Sequence, residues 1–175
     1  MSTVRPATSQ DLPYLAAVED AADGLFAERF GGVDWPAADS GEDRAAEPGF
    51  LLVAVEPDDD PPGTERVVGF AHVLELDGRW HLDQVAVLPE RGRRGHGSAL
   101  LAALCREVAT RGGAEVTLTT YADVPWNAPF YARHGWVELD PWPDHLAPFA
   151  AAEERMDMGR HGRRVAMSRR VGRAG

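Results

Sequence analysis

The chain has 175 residues, 28 acidic and 18 basic side chains and 44% hydrophobic residues, enough for one domain around a single core. Every basic residue is Arg, which excludes lysine Schiff-base chemistry and the lysine of a phosphate-loop NTPase. The lone Cys105 excludes an internal disulfide and a multi-thiolate zinc site, and no metal centre is expected. No secretory leader or apolar run of the roughly 20 residues that cross a bilayer is found, so the expectation is a soluble, cytoplasmic protein with no membrane partner. Charge is lopsided: residues 1–90 hold 19 acidic against 5 basic side chains, residues 91–175 hold 9 against 13.

Residues 4–6 predict a short opening strand. A first helix follows, with Leu12, Leu15, Val18, Ala22, Leu25 and Phe26 at helical spacing and Gly31 and Gly32 as its stop. Much of 34–48, and the acidic run 56–60 with its following prolines, read as solvated loops flanking a buried strand over 50–56. Residues 67–77 and 81–88 predict a hairpin turning at Asp77-Gly78. From Ser98 the period becomes helical, with Leu100, Leu101, Leu104, Cys105 and Val108 on one face as far as Gly112. A strand over 115–120, a short helix over 127–133, a strand over 136–139, a helical stretch over 144–158 and a final edge strand over 164–171 complete the chain, with a frayed tail over 172–175. An exposed strand near Val165 would allow pairing across a homodimer.

The segment VAVLPERGRRGHGSALLAAL places a strand, a Gly- and Arg-rich turn and a helix in direct succession. A helix N-terminus offers unpaired amides and the positive end of its dipole, and Gly95 and Gly97 let an anion reach the main chain. Arg91, Arg93 and Arg94 add charge, and His96 and Ser98 complete the turn. The Walker pattern fails for want of Lys, and the dinucleotide fingerprint fails because Leu100 stands where its third glycine belongs. What remains is a pyrophosphate cradle of another kind.

RGRRGHGSALL resembles the acetyl-CoA signature of the GNAT superfamily of N-acetyltransferases: Gln or Arg, two residues, Gly, one residue, then Gly or Ala. Here Gly92 takes the first position and Arg91 stands one step away. PWNAPFYARHGW, from Pro125 to Trp136, resembles the family's later motif, in which an aromatic pair on a short helix precedes a Gly and an aromatic strand. The resemblance covers residues 3–140, with the RVAM run near Val165 as the last strand and 141–163 as a helical insert in a single domain of 1–175. It implies an α/β (α+β) fold, with a central mixed, mostly antiparallel twisted sheet, helices on both faces and splayed central strands. It also implies acetyl-CoA as cosubstrate, with the backbone of Val85, Ala86 and Val87 meeting the pantetheine arm and Asn127 contacting the cofactor.

Acetyl transfer to an amine requires a deprotonated nucleophile, and an alkyl amine with a pKa near ~10.4 arrives as ammonium. On the predicted strand HLDQVAV, alternation puts His81 and Asp83 on one face. The pair resembles a histidine-carboxylate version of the two histidines in the arylalkylamine branch of the family. Asp83 is the candidate to take the proton, directly or through water, with His81 assisting; the competing reading is a salt-linked or solvent-facing pair. Tyr131 falls at the family's general-acid tyrosine and is the candidate proton donor to the leaving thiolate. Glu19, Phe26, Glu28, Phe30 and Trp35 lie in the region that forms the family's acceptor wall, where acidic and aromatic groups suit an ammonium.

The leading expectation is an acetyl-CoA-dependent N-acetyltransferase acting on a small-molecule or peptide amine. A non-catalytic acyl-CoA-binding regulatory module is the alternative, opposed by the intact set His81, Asp83 and Tyr131. Nucleic acid is not an expected partner, because a net charge of -10 opposes phosphate binding through the arginine tail.

Overall fold

Seven strands form a sheet in the order β1-β2-β3-β4-β5-β7-β6 in this computed structural model, which describes residues 3–172. The last three positions of the expected frayed tail lie outside the described residues. β1 (Thr3–Pro6), β2 (Gly49–Asp59), β3 (Pro62–Leu76) and β4 (Arg79–Val87) pair antiparallel, and β4 then runs parallel to β5 (Glu115–Tyr121). β7 (Arg164–Arg170) is antiparallel to both β5 and β6 (Val137–Leu139). The helices are α1 (Leu12–Phe30), α2 (Gly41–Ala46), α3 (His96–Thr110), α4 (Ala128–Arg133) and α5 (Ala147–Arg155).

β2 from Leu51 to Val55 and β3 from Val67 to Leu74 are buried without alternation, which requires cover on both faces of the sheet. α1 and α3 both pack on β3 and β4. The stripe Leu100, Leu101, Leu104, Cys105 and Val108 faces the core, each large apolar side chain contributing about 1.5–3 kcal/mol. The β3–β4 hairpin turns as expected, with φ of 50° at Asp77 and 76° at Gly78, the left-handed pair a tight two-residue turn demands.

Between β4 and β5 the register holds only at Trp80↔Val116 and His81↔Thr117, after which the strands part. A bulge in the β3–β4 ladder sits at the same place: His72 pairs with Gln84 and Val73 with Leu82, so Asp83 has no partner opposite. The splay and the bulge together expose the middle of β4.

Three expectations change. β7 lies between β5 and β6, which pairs with it over Ala166–Ser168, and Val165 is buried, so the outermost strands are β1 and β6 and the exposed strand expected near Val165 is not found. The stretch 34–48 contains α2, capped by Ser40 Oγ accepting from the Asp43 amide at 3.0 Å. The acidic run 56–60 continues β2 through Asp59, because β3 begins at Pro62 and pairs with it.

Candidate active site

The opening of the sheet leads into a cavity of about 1210 Å³. Of the residues singled out in the sequence, only Arg94, Glu28 and Phe30 lie outside its lining. Glu28 is exposed on α1, and Phe30 packs behind the wall, stacked on His161 at 4.8 Å and edge-on to Tyr121 at 5.2 Å. Phe26 and Trp35 do line the cavity, their rings 5.3 Å apart.

At one end stands the glycine-arginine turn. Gly95 caps α3 with φ 87°, a conformation that strains any residue with a side chain, and a Cβ there would meet nothing. A Cβ on Gly97 would come within 3.2 Å of the Phe130 ring, so this glycine sets how closely α4 approaches α3. The same approach is pinned by His134, whose Nδ1 donates to the Phe130 carbonyl at 2.9 Å, leaving Nε2 to accept from Ser98 Oγ at 2.8 Å. The cations of the turn divide. Glu56 Oε2 holds Arg91 at 2.9 Å, while Glu56 Oε1 binds His96 Nε2 at 2.7 Å and Arg94 at 3.9 Å. Arg93, exposed at φ 60°, has no ion-pair partner among the described residues. Glu56, read from sequence as part of a solvated run, is therefore the counter-ion that fixes the turn. Burial pushes its pKa up, but the His96 hydrogen bond and the charges of Arg91, His96 and Arg94 hold it below the ordinary value.

Along β4, Ala86 and Val87 line the cavity, and so does Val85, whose amide already donates to Gln84 Oε1 at 3.1 Å. Asn127 is buried at the start of α4, and its Oδ1 accepts from the Tyr121 amide at 3.3 Å, tying α4 to the end of β5.

His81 and Asp83 belong to different environments. His81 is 4% exposed and its Nδ1 meets Thr117 Oγ1 at 2.9 Å. Burial lowers its pKa from 6.5 to about 4, so it is neutral at pH 7. Asp83 keeps 33% of its side chain exposed, and Oδ2 lies 3.1 Å from Arg44 Nη1 and 3.3 Å from His72 Nδ1. Arg44 Nη1 lies 3.2 Å from the same Nδ1, which serves one neighbour at a time: protonated it donates to Asp83, unprotonated it accepts from Arg44. Burial raises the Asp83 pKa, yet His72, Arg44 and His81 outweigh it and hold the carboxyl below its usual range.

Arg44 is the centre that sequence reading missed. It is 4% exposed, pairs with both Glu19 and Asp83, and joins α2 to α1 and β4. Gln84 Nε2 donates to Glu19 Oε1 at 2.8 Å and closes the network. Burial raises the Glu19 pKa against the pull of Arg44 and Gln84. The available signal was the Ser40/Asp43 spacing, which marks a helix start inside a stretch otherwise readable as loop.

Tyr131 lines the cavity at 7% exposure, with no group of the described residues hydrogen-bonded to its hydroxyl. Burial pushes the phenol pKa well above 10. Full proton transfer from it to a thiolate near ~8.5 is therefore uphill, and what its geometry offers is a hydrogen bond to developing negative charge. The stretch around α5 supplies more of the wall: Phe149 of α5 stacks on His81 with centroids 4.0 Å apart, and Glu153 holds Arg164 at 2.6 Å.

The profile of the Acetyltransferase (GNAT) family matches residues 17–136. Among solved structures, the fold is similar to the ribosomal-protein-S18-alanine N-acetyltransferase from Escherichia coli, with a TM-score of 0.66 and 21% identity over 100% of this chain and 97% of that one. It is similar to an aminoglycoside 6'-N-acetyltransferase complexed with coenzyme A, with a TM-score of 0.64 and 17% identity over 99% of both chains. N-acetylglutamate synthase from Neisseria gonorrhoeae, complexed with coenzyme A and N-acetyl-glutamate, matches with a TM-score of 0.67 and 18% identity over 99% of this chain and 36% of that one.

Proposed function

Because the chain belongs to the Acetyltransferase (GNAT) family, we propose that it moves an acetyl group from acetyl-CoA to a primary amine of a small molecule or peptide, by direct transfer in a ternary complex. One observation carries this reading: a single cavity is lined by the glycine-arginine turn, the parted strand β4, Tyr131 and an acidic, aromatic wall. The names of the structural neighbours above point to alanine, glutamate and aminoglycoside acceptors, which supports an amine here.

The residues fit the cosubstrate. The open side of Gly95, the amides at the start of α3 and the unpaired Arg93 would hold its pyrophosphate. The β4 backbone at Ala86 and Val87 would hold its pantetheine arm, while binding at Val85 would displace the Gln84 side chain. When bound, acetyl-CoA supplies an acyl group activated as a thioester.

Asp83, ionised and one-third exposed, accepts a hydrogen bond from the incoming ammonium. Its depressed pKa makes it a poor place to keep a proton, so it passes the proton on to water. His81 is uncharged at neutral pH and adds no positive charge to oppose the ammonium. Tyr131 donates a hydrogen bond where charge builds on the departing sulfur. Incubation with acetyl-CoA and a panel of amines, followed by free-thiol release, tests the reading: amine-dependent release is expected. Tight coenzyme A binding with no such release would establish the regulatory module instead.

A further inference from the structure

We propose that Asp23 selects the acceptor, holding a second cationic group of a small amine that carries at least two positive charges while the first amine is acetylated. This rests on the acetyltransferase reading above. Around Arg44 the cavity lining holds four carboxylates, Glu19, Asp23, Asp39 and Asp83, against that one guanidinium. Arg44 pairs with Glu19 and Asp83 and stands 3.8 Å from Asp39, which is 69% exposed and screened by solvent. Its charge is committed, and Asp23 has no hydrogen bond or ion pair to its side chain among the described residues. No other guanidinium of the lining redresses this imbalance, since Arg164 is held by Glu153, and Arg91, Arg93 and Arg133 belong to the glycine-arginine turn and α4.

Asp23 is half buried on α1, one turn from Glu19 and from Phe26. The rings of Trp35 and Trp126, both in the lining, pack on Phe26 at 5.3 and 5.4 Å. Apolar walls weaken screening, and their π faces suit an ammonium. The surroundings of Asp23 oppose its charge unless a cation joins them: burial, then Glu19 and Asp20, push its pKa up to about 6, with Arg44 from α2 pulling the other way.

A second charge is needed because the reacting amine must be neutral when it attacks. At that moment it no longer compensates a carboxylate. An ammonium elsewhere in the same molecule keeps its charge throughout, so its attraction to Asp23 persists through the reaction. Phe149 and Ala152 of α5 line the same cavity as α1 and Trp35, and walls on several sides suit a compact molecule over an extended peptide.

The test compares kcat/KM for 1,4-diaminobutane and n-butylamine at pH 8 and low salt, with acetyl-CoA binding followed separately by calorimetry. The diamine is expected to win by about tenfold, the ratio that one retained charge pair of about 1.4 kcal/mol yields. Asp23→Asn should bring the ratio to near unity. In the unaltered protein the ratio should shrink with added salt and grow as pH rises through about 6. Equal use of the two amines, an unchanged ratio in Asp23→Asn, acetylation of a basic peptide alone, or turnover of no amine with acetyl-CoA still bound would each overturn the proposal. Loss of acetyl-CoA binding itself would sink the transferase reading, and the proposal with it.

Discussion

His81 lies nearly face to face with Phe149, ring planes 26° apart, so α5 covers the side chain that β4 presents just where it leaves β5. The contact has a thermodynamic consequence. Unfolded, the imidazole titrates near 6.5; folded, burial lowers it to about 4. Protons thus bind the unfolded chain preferentially between these values, and stability present above pH 6.5 is lost as pH falls toward 4, by about 3 kcal/mol in all. Denaturant melts at pH 7 and pH 4.5 should show a smaller loss in His81→Asn than in the unaltered protein. Equal losses would mean that His81 is not buried neutral.

Arg44→Met should be strongly destabilising, by about 3–5 kcal/mol, because it leaves Glu19 and Asp83 without their shared cation. The penalty should shrink as pH falls and the stranded carboxylates take up protons. Chemical denaturation at pH 7.5 and pH 5 checks both the size and the direction.

Much of this arrangement is local and was legible. Asp77-Gly78 dictates its own turn, the Leu100 to Val108 stripe its own helix face, and the Gly95/Gly97 turn its place ahead of α3. The Arg44 network is not local: Glu19, His72 and Asp83 lie 25, 28 and 39 residues away, and no periodicity in the chain records which acidic residue will meet which arginine. Glu56 has the same history, since a run of acids looks solvated until β2 and α3 bring His96 against it. β7 was misread because an alternating strand with an arginine end looks the same at an edge as in the interior; only its pairing with both β5 and β6 decides.

Gly95→Ala should cost about 1–2 kcal/mol of stability, as a side chain is forced to φ 87°. Arg93→Ala has no packing to lose. It should weaken coenzyme A binding severalfold and flatten the salt dependence of that binding, because a solvated guanidinium acts through charge. Calorimetry at two ionic strengths reads the effect, and an unchanged affinity would remove Arg93 from the cradle.

Tyr131→Phe should lower kcat by about 10²-fold with little change in KM, the signature of a hydrogen bond made as charge develops. The hydroxyl has no hydrogen-bond partner among the described residues, so thermal stability should hold. Unchanged kcat would exclude the residue from catalysis.

The two registered positions between β4 and β5 make the sheet a pair of rafts, β1 to β4 and β5 to β6, hinged at Trp80 and His81. Any molecule lodged in the gap below that hinge becomes a clasp between them. Loaded protein should then exchange its β4 and β5 amide hydrogens far more slowly than the bare chain, and catalysis and mechanical integrity draw on the same missing ladder.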